Sequence, residues 1–373
     1  MEIDTLVIGA GPSGLAISAL LGKHNIPYTI IEKEDSVGSA WRTHYSRLHL
    51  HTVKSLSHLP MLPFPEDYPR YVPRQKLIEY LELYANKFSI QPKFSEKAEE
   101  IQKVDSKWMV KTTKDTYKVN RLIICTGYNH TPKIPEWKGM KDFTGKILHS
   151  KDYRTNSPYK GQKVLIVGAG NTGGELAIDL WEGGADVDIC IRSPLHVVPR
   201  EMFGIPMQIT ANILDKFPIF LADPISKFIL NHFTIDLKKF GITKPEYGSI
   251  RQVKEKEKIP LIDIGTSELI FQEQIKVKPG IQEFDKEFVI FSDSTKEKYD
   301  SVILCTGFSA NLSPLFPGLN LWNEKGYPNI RGKEFLPGLY FLGYTNHITG
   351  FLRYIGVEAK KIVKDISMKR KSK

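Results

Sequence analysis

The sequence predicts an α/β fold of three-layer type, on three observations. A β-branched strand that runs into G-x-G-x-x-G and a helical pattern occurs twice, each copy is followed by a second apolar strand, and each is closed much later by an apolar strand ending in Cys-Thr-Gly. The first copy reads DTLVIGAGPSG from Asp4 to Gly14, and the second KVLIVGAGNTG from Lys163 to Gly173. A lone glycine motif arises by chance, whereas one with a strand before it, a helix after it and a further strand at the right distance is specific. The helical patterns are Leu15 to Leu21 and Glu175 to Trp181; the following strands are YTIIE, ending at Glu32, and DICIR, ending at Arg192. The closing strands are RLIICTGY, Arg121 to Tyr128, and SVILCTGF, Ser301 to Phe308. Before them, Lys107 to Tyr117 and Glu287 to Tyr299 alternate as small antiparallel meanders. Two Rossmann-like dinucleotide-binding units are implied, one from residues 1–150 and 310–373 and the other inserted as 151–309.

Each glycine has a distinct expected task. Gly9 and Gly168 allow the tight turn, Gly11 and Gly170 let a pyrophosphate approach the backbone, and Gly14 and Gly173 let helix pack on strand. The helix N-termini add N–H donors and a positive dipole end. The second strands separate the two ligands. Glu32 lies 18 residues after Gly14, where a carboxylate accepts hydrogen bonds from a ribose 2′-hydroxyl, so the first unit is expected to hold FAD. The second copy carries Arg192 and Ser193 at that place and no acid. A guanidinium fork matches a 2′-phosphate, which favours NADPH over NADH, with a plain surface arginine as the alternative.

Composition narrows the chemistry. The 373 residues are 41% hydrophobic and 25% charged, with a net charge of +10, which describes a globular protein rather than a disordered one. Part of the excess is in the tail, at Lys369, Arg370, Lys371 and Lys373, where a solvated terminus is the simpler reading than a nucleic-acid patch. Neither a secretion signal nor a transmembrane run is present, and a cytoplasmic location is expected. The three cysteines, Cys125, Cys190 and Cys305, lie far apart and form no C-x-x-C. The thiol pair that a disulfide reductase needs beside its flavin is therefore missing, leaving oxygen, a quinone or a redox protein as electron acceptor.

One segment decides among these. FTGKILHSKDY, Phe143 to Tyr153, is F-x-G-x-x-x-H followed by an aromatic residue, placed just before the second glycine loop. It resembles the identifying motif of the flavin-containing monooxygenases, and the resemblance extends over nearly the whole chain. The segments Tyr45 to Pro65, Ile191 to Glu201 and LIDIGT before IKVKPGI are most similar to the plant YUCCA-type branch. The resemblance implies a flavoprotein monooxygenase in which NADPH reduces FAD, oxygen adds to give a C4a-hydroperoxide, and one oxygen atom passes to a small organic substrate. Oxidative decarboxylation of indole-3-pyruvate or a similar 2-oxo acid is the expected reaction. The alternatives are N- or S-oxygenation, a Baeyer–Villiger reaction, or NADPH-dependent flavin reductase or oxidase activity without oxygen insertion. Substrate and O2 are the expected partners, with no nucleic acid.

The resemblance also carries residue roles. Thr126–Gly127 and Thr306–Gly307 match the family's linker segments, with turn punctuation as the alternative. Phe143, Gly145, His149 and Tyr153 form an NADPH-side structural motif, in which His149 is not a catalytic base. Where animal and yeast-type members have an asparagine near the flavin, this chain has His51, the candidate catalytic residue; an imidazole titrating near neutrality suits hydrogen bonding to flavin, nicotinamide or substrate, and a packed core histidine is the other reading. No carboxylate or cysteine accompanies His44, His49, His51 and His58 at ligand spacing, so no metal is expected. Trp41 is a candidate for stacking beside the flavin or for core packing, Arg200 joins Arg192 as a candidate for the NADPH phosphate end, and Gly343 closes the last FAD-contacting strand. The ITGFLRYIG that follows departs from the plant pattern. The Pro-broken apolar helices from Met202 to Phe240 read as ordinarily buried, with substrate access, a membrane surface or a homodimer contact as alternatives.

Overall fold

Strand Glu2–Ile8 alternates across its sheet, and the period of two assigns its faces: Leu6 and Ile8 pack with the meander residues Ile101, Trp108 and Val110 in one core cluster, while Val7, equally buried, faces the other side. A computed structural model describes residues 1–371, apart from the side chain of Lys371; the predicted tail charge Lys373 lies outside them. The described residues divide into two compact units: Met1–Thr43, Val53–Thr131 and 308–371, and His44–Thr52 with Pro132–Gly307.

In the first unit, Glu2–Ile8 lies between Thr29–Ile31 and Thr116–Ile124, parallel to both. Leu339–Phe341 continues the parallel sheet beyond Thr116–Ile124, and Glu334–Leu336 ends it antiparallel. The expected meander is Ala98–Val104 and Lys107–Thr112, antiparallel to each other and to Thr116–Ile124. Helix Pro12–Lys23 begins at the glycine loop and packs against the long C-terminal helix Phe351–Lys371.

The second unit repeats this plan. Its sheet runs Ile275–Lys278, Asp186–Cys190, Lys163–Val167, Ser301–Leu304 and Lys146–His149, all parallel. The meander is Ile281–Asp285, Phe288–Phe291 and Lys296–Lys298. All-parallel strands buried on both faces read as continuous apolar runs, as KVLIV and SVIL do.

Two features differ from the sequence reading. Residues 132–150, expected with the first unit, belong to the second because Lys146–His149 is an edge strand of its sheet, and residues 44–52 join the second unit as well. The helices after Met202 are not ordinarily buried: Phe203, Ile213, Phe220, Ile225, Phe228 and Phe233 are exposed, because helices Met207–Leu214 and Ile219–His232 have more apolar faces than the unit has core to cover. Among the described residues no helix is long and apolar enough to cross a membrane.

Candidate functional site

The two glycine loops are built alike to within tenths of an ångström. Gly9 and Gly168 have φ of +104° and +106°, a region open to glycine, and a Cβ on either would lie 2.7 Å from the carbonyl oxygen of Cys125 or Cys305. Those cysteines in turn donate their N–H groups to the Ile8 and Val167 carbonyls. The Cys-Thr-Gly strands thus close the loops from the neighbouring position in each sheet. A Cβ on Gly14 or Gly173 would fall 1.8 or 1.9 Å from the carbonyl oxygen of Gly9 or Gly168, so helix and strand touch through bare backbone.

Gly11 and Gly170 are different, since a Cβ there would meet nothing within 4 Å, and their backbone is extended and unstrained. The protein's own packing does not require glycine at either position. Each residue caps a twelve-residue helix whose N-terminus has no side-chain cap, leaving first-turn N–H donors for an anion to reach across open space.

The strand ends carry opposite charge. Glu32 is buried at the end of the first unit's second strand, where it accepts hydrogen bonds from the Ala10 N–H at 2.6 Å, inside the glycine loop, and from the Glu34 N–H at 3.1 Å. At the corresponding end in the second unit, Arg192 and Ser193 are exposed, and no acid among the described residues pairs with Arg192. Around the first loop, Thr126 shares a 2.8 Å hydrogen bond with Tyr344, Gly127 takes φ +74° facing open space, and Trp41 is partly buried in the short helix Ser39–Arg42. A Cβ on Gly343 would lie 2.1 Å from the Ser13 hydroxyl, so this glycine answers to contact with the first helix. Its N–H faces the buried Glu358 carboxylate at 3.3 Å, and Glu358 also accepts from Thr345.

A polar cluster lies at the start of the second helix, Asn171–Glu182. Glu175 is 2% exposed and accepts a hydrogen bond from the Tyr45 hydroxyl and another from the His49 N–H. Burial raises its carboxyl to about 7, with Tyr45, His49, Arg47 and Arg200 pulling the other way. His51 Nε2 is 3.7 Å from a Glu175 oxygen, and its buried Nδ1 has no hydrogen-bond partner. Burial lowers the imidazole to about 4, with the charges of Arg200 and His49 acting in the same direction. His51 is therefore neutral at physiological pH despite the neighbouring carboxylate. This corrects the expectation of titration near neutrality, because an 18% exposed imidazole loses more by desolvation than one half-protonated carboxyl returns. Arg200, expected with Arg192, acts electrostatically on His51 and Glu175.

Sequence reasoning missed Tyr45, Glu175 and Glu358. The available signal was a carboxylate two positions after Gly173, on a helix whose next residues are Leu176, Ala177 and Ile178. The F-x-G-x-x-x-H motif is structural. Phe143 packs on Phe284, a Cβ on Gly145 would crowd the Tyr299 carbonyl, Tyr153 donates to Asp179 at 2.6 Å, and the His149 ring lies 3.1 Å from the Gly307 carbonyl. That contact, a Lys133 N–H donated to the same carbonyl and the Thr306 hydroxyl donated to the Lys133 carbonyl hold the second Cys-Thr-Gly segment. Among the described residues no cluster of His, Cys, Asp or Glu is arranged to hold a metal ion.

A model of the flavin-binding monooxygenase-like family matches residues 4–320. The probable indole-3-pyruvate monooxygenase YUCCA8 of Arabidopsis thaliana is 34% identical, over 97% of this chain and 88% of its own length. The indole-3-pyruvate monooxygenase YUCCA1 of Oryza sativa subsp. japonica is 35% identical, over 97% and 90%. Among solved structures, the flavin-containing monooxygenase from Stenotrophomonas maltophilia shares the fold with a TM-score of 0.75 at 21% identity, covering 98% of this chain and 99% of that one. With two open, uncapped glycine loops, an acid at the end of the first unit's second strand and a free guanidinium at the second's, the residues fit two dinucleotides of different charge. The chain belongs to the flavin-binding monooxygenase-like family and is an NADPH-dependent flavoprotein oxidoreductase with FAD and NADPH as its cofactors.

Proposed function

We propose that this protein is a monooxygenase for a small 2-oxo acid, with indole-3-pyruvate as the first substrate to test. The observation that carries this reading is identity of 34–35% to indole-3-pyruvate monooxygenases over almost the full length of both chains. The reaction balances as 2-oxo acid, O2, NADPH and a proton giving the acid shorter by one carbon, CO2, NADP⁺ and water.

In this reading the residues of the first loop bind FAD, with Gly11 and the first-turn N–H groups at the pyrophosphate and Glu32 at the ribose. Gly170 and its helix receive the NADPH pyrophosphate, while Arg192 and Ser193 hold the 2′-phosphate. When bound, these cofactors supply hydride transfer and oxygen activation; the chain supplies orientation and proton control. The neutral His51, with Nδ1 unpartnered, is a hydrogen-bonding group available to a ligand without adding charge. Glu175, raised to about 7, holds or releases a proton at its carboxyl within the working pH range, and Tyr45 orients that carboxyl. Thr126–Gly127, Thr306–Gly307, Trp41 and Gly343 shape the backbone around the loops.

The test is a product assay on the FAD-loaded chain with NADPH and indole-3-pyruvate, beside a thioether, an amine and a cyclic ketone. Indole-3-acetate formed in step with NADPH consumed is the expected outcome. Oxygenation of one of the other three substrates with none of the keto acid would overturn the substrate class. NADPH consumption that yields only hydrogen peroxide with every substrate would overturn oxygen insertion itself.

A further inference from the structure

Helix Ile219–His232 carries its large apolar side chains on the side opposite the one the second unit covers. Ala222, Ser226 and Leu230 face inward and are buried. Phe220, Leu221, Pro224, Ile225 and Phe228 are exposed, and at roughly 100° per residue they fill one arc of about 140°. Ile213 and Phe217, which precede this helix, are exposed too, and in the turn between Glu201–Met202 and Ile205–Pro206 Phe203 is 83% exposed, its ring 5.9 Å from that of Phe233. Large exposed apolar side chains gathered on one helix face mark an interaction site rather than singly scattered solvent-facing residues.

Charge identifies the occupant. Between Phe203 and Phe233 there are two acids, and neither presents free negative charge outward. Asp215 pairs with Lys254 at 2.9 Å, and Asp223 is buried, accepting from the N–H groups of Gly248 and Arg251. Lys216 and Lys227 are exposed within the segment, and Lys238 and Lys239 follow it, with Asp236 beside them accepting the Lys238 N–H. We infer that this face docks on the surface of an anionic lipid bilayer, with its phenylalanines and isoleucines in the interfacial layer and its lysines at the headgroups. Apolar side chains rimmed by lysine are the pattern of an interfacial helix, and fourteen residues, about 21 Å of helix, are too few to span. A second copy of the chain is a poorer occupant, because a two-fold contact would set the lysine rim against itself.

The experiment is flotation of the FAD-loaded full chain with vesicles of phosphatidylcholine alone or with about one third phosphatidylserine. Binding to the anionic vesicles is expected to exceed binding to the neutral ones by about ten-fold or more. Phe220→Ser with Phe228→Ser is expected to lower it by about ten-fold, and Lys216→Glu with Lys227→Glu to remove the preference for phosphatidylserine, with flavin absorbance and thermal midpoint retained in both as the check on folding. Absence of wild-type flotation, or undiminished flotation of the double serine variant, would overturn the proposal. So would a dimer in sedimentation equilibrium that the serine variant splits while wild-type chain ignores vesicles. None of these readouts requires turnover, so they are separate from the substrate assignment.

Discussion

The two dinucleotide-binding units share a backbone and part in their chemistry. Gly9 and Gly168, Gly14 and Gly173, and Cys125 and Cys305 make the same contacts at nearly the same distances. Two positions beyond the last glycine, however, the first helix has Ala16 and the second has Glu175, both buried. At the end of the following strand the first has Glu32, tied into its own loop, and the second has the unpaired Arg192. What is common serves the turn and the helix contact, and what differs is the charge each unit carries beside its loop. Repetition within one chain thus separates fold from function at single residues.

The largest effects are expected at the glycines themselves. Gly14→Ala and Gly173→Ala place a methyl carbon inside van der Waals contact of a carbonyl oxygen, and backbone has no rotamer to give way. Each is expected to cost roughly 3 kcal/mol or more, read as a lowered thermal midpoint of cofactor-free protein. Gly11→Ala and Gly170→Ala have open space and should leave that midpoint within about 0.5 kcal/mol while weakening FAD or NADPH binding by about ten-fold. Equal destabilisation by all four would show that the protein's own packing requires glycine at positions 11 and 170 as well.

Glu175→Gln gives the second helix an uncharged residue at this position, where the first has Ala16. The unfolded chain releases this proton near 4.5 and the folded chain keeps it to about 7, so the folded state binds more protons in between. Glu175 therefore destabilises progressively from pH 4.5 upward and fully above pH 7, by up to about 3 kcal/mol. The glutamine variant should match wild type near pH 5 and melt higher at pH 8. Parallel pH–stability curves would show that Glu175 does not titrate differently in the folded and unfolded chain.

Arg192→Ala tests the other difference. Loss of charge-assisted contacts to a 2′-phosphate should raise KM for NADPH by about ten-fold or more, with KM for NADH moving less than about three-fold. Equal losses would make Arg192 a general surface cation.

How far the sequence was legible follows the same division. The fold could be read almost whole, because turns, helix–strand contacts and parallel strands demand residue types that recur in order: glycine at 9, 11 and 14 and again at 168, 170 and 173, then apolar runs ending at Glu32 and Arg192. The position of Lys146–His149 was not legible, since a parallel edge strand looks the same whichever sheet receives it. His51 stands out in the sequence as a residue but not as a neutral one, because its burial and its proximity to the charge of Arg200, remote in sequence, arise only on folding. Glu175 itself shows in the sequence only as part of a helix pattern. Periodicity marks a buried position but does not reveal that a carboxyl there has Tyr45 as its donor.

Tyr45→Phe is the smallest and most selective change within this cluster. The tyrosine hydroxyl donates to Glu175 and favours its ionised form. Removing one hydroxyl from a buried pair costs about 1 kcal/mol at pH 6, where Glu175 is mostly protonated. It should cost more at pH 8, where the carboxylate loses a donor, because the titration of Glu175 then moves above about 7. Thermal midpoints across that range report the shift directly. In the Glu175→Gln background the pH dependence of the Tyr45→Phe effect should vanish, and its persistence there would place the tyrosine's role outside this pair.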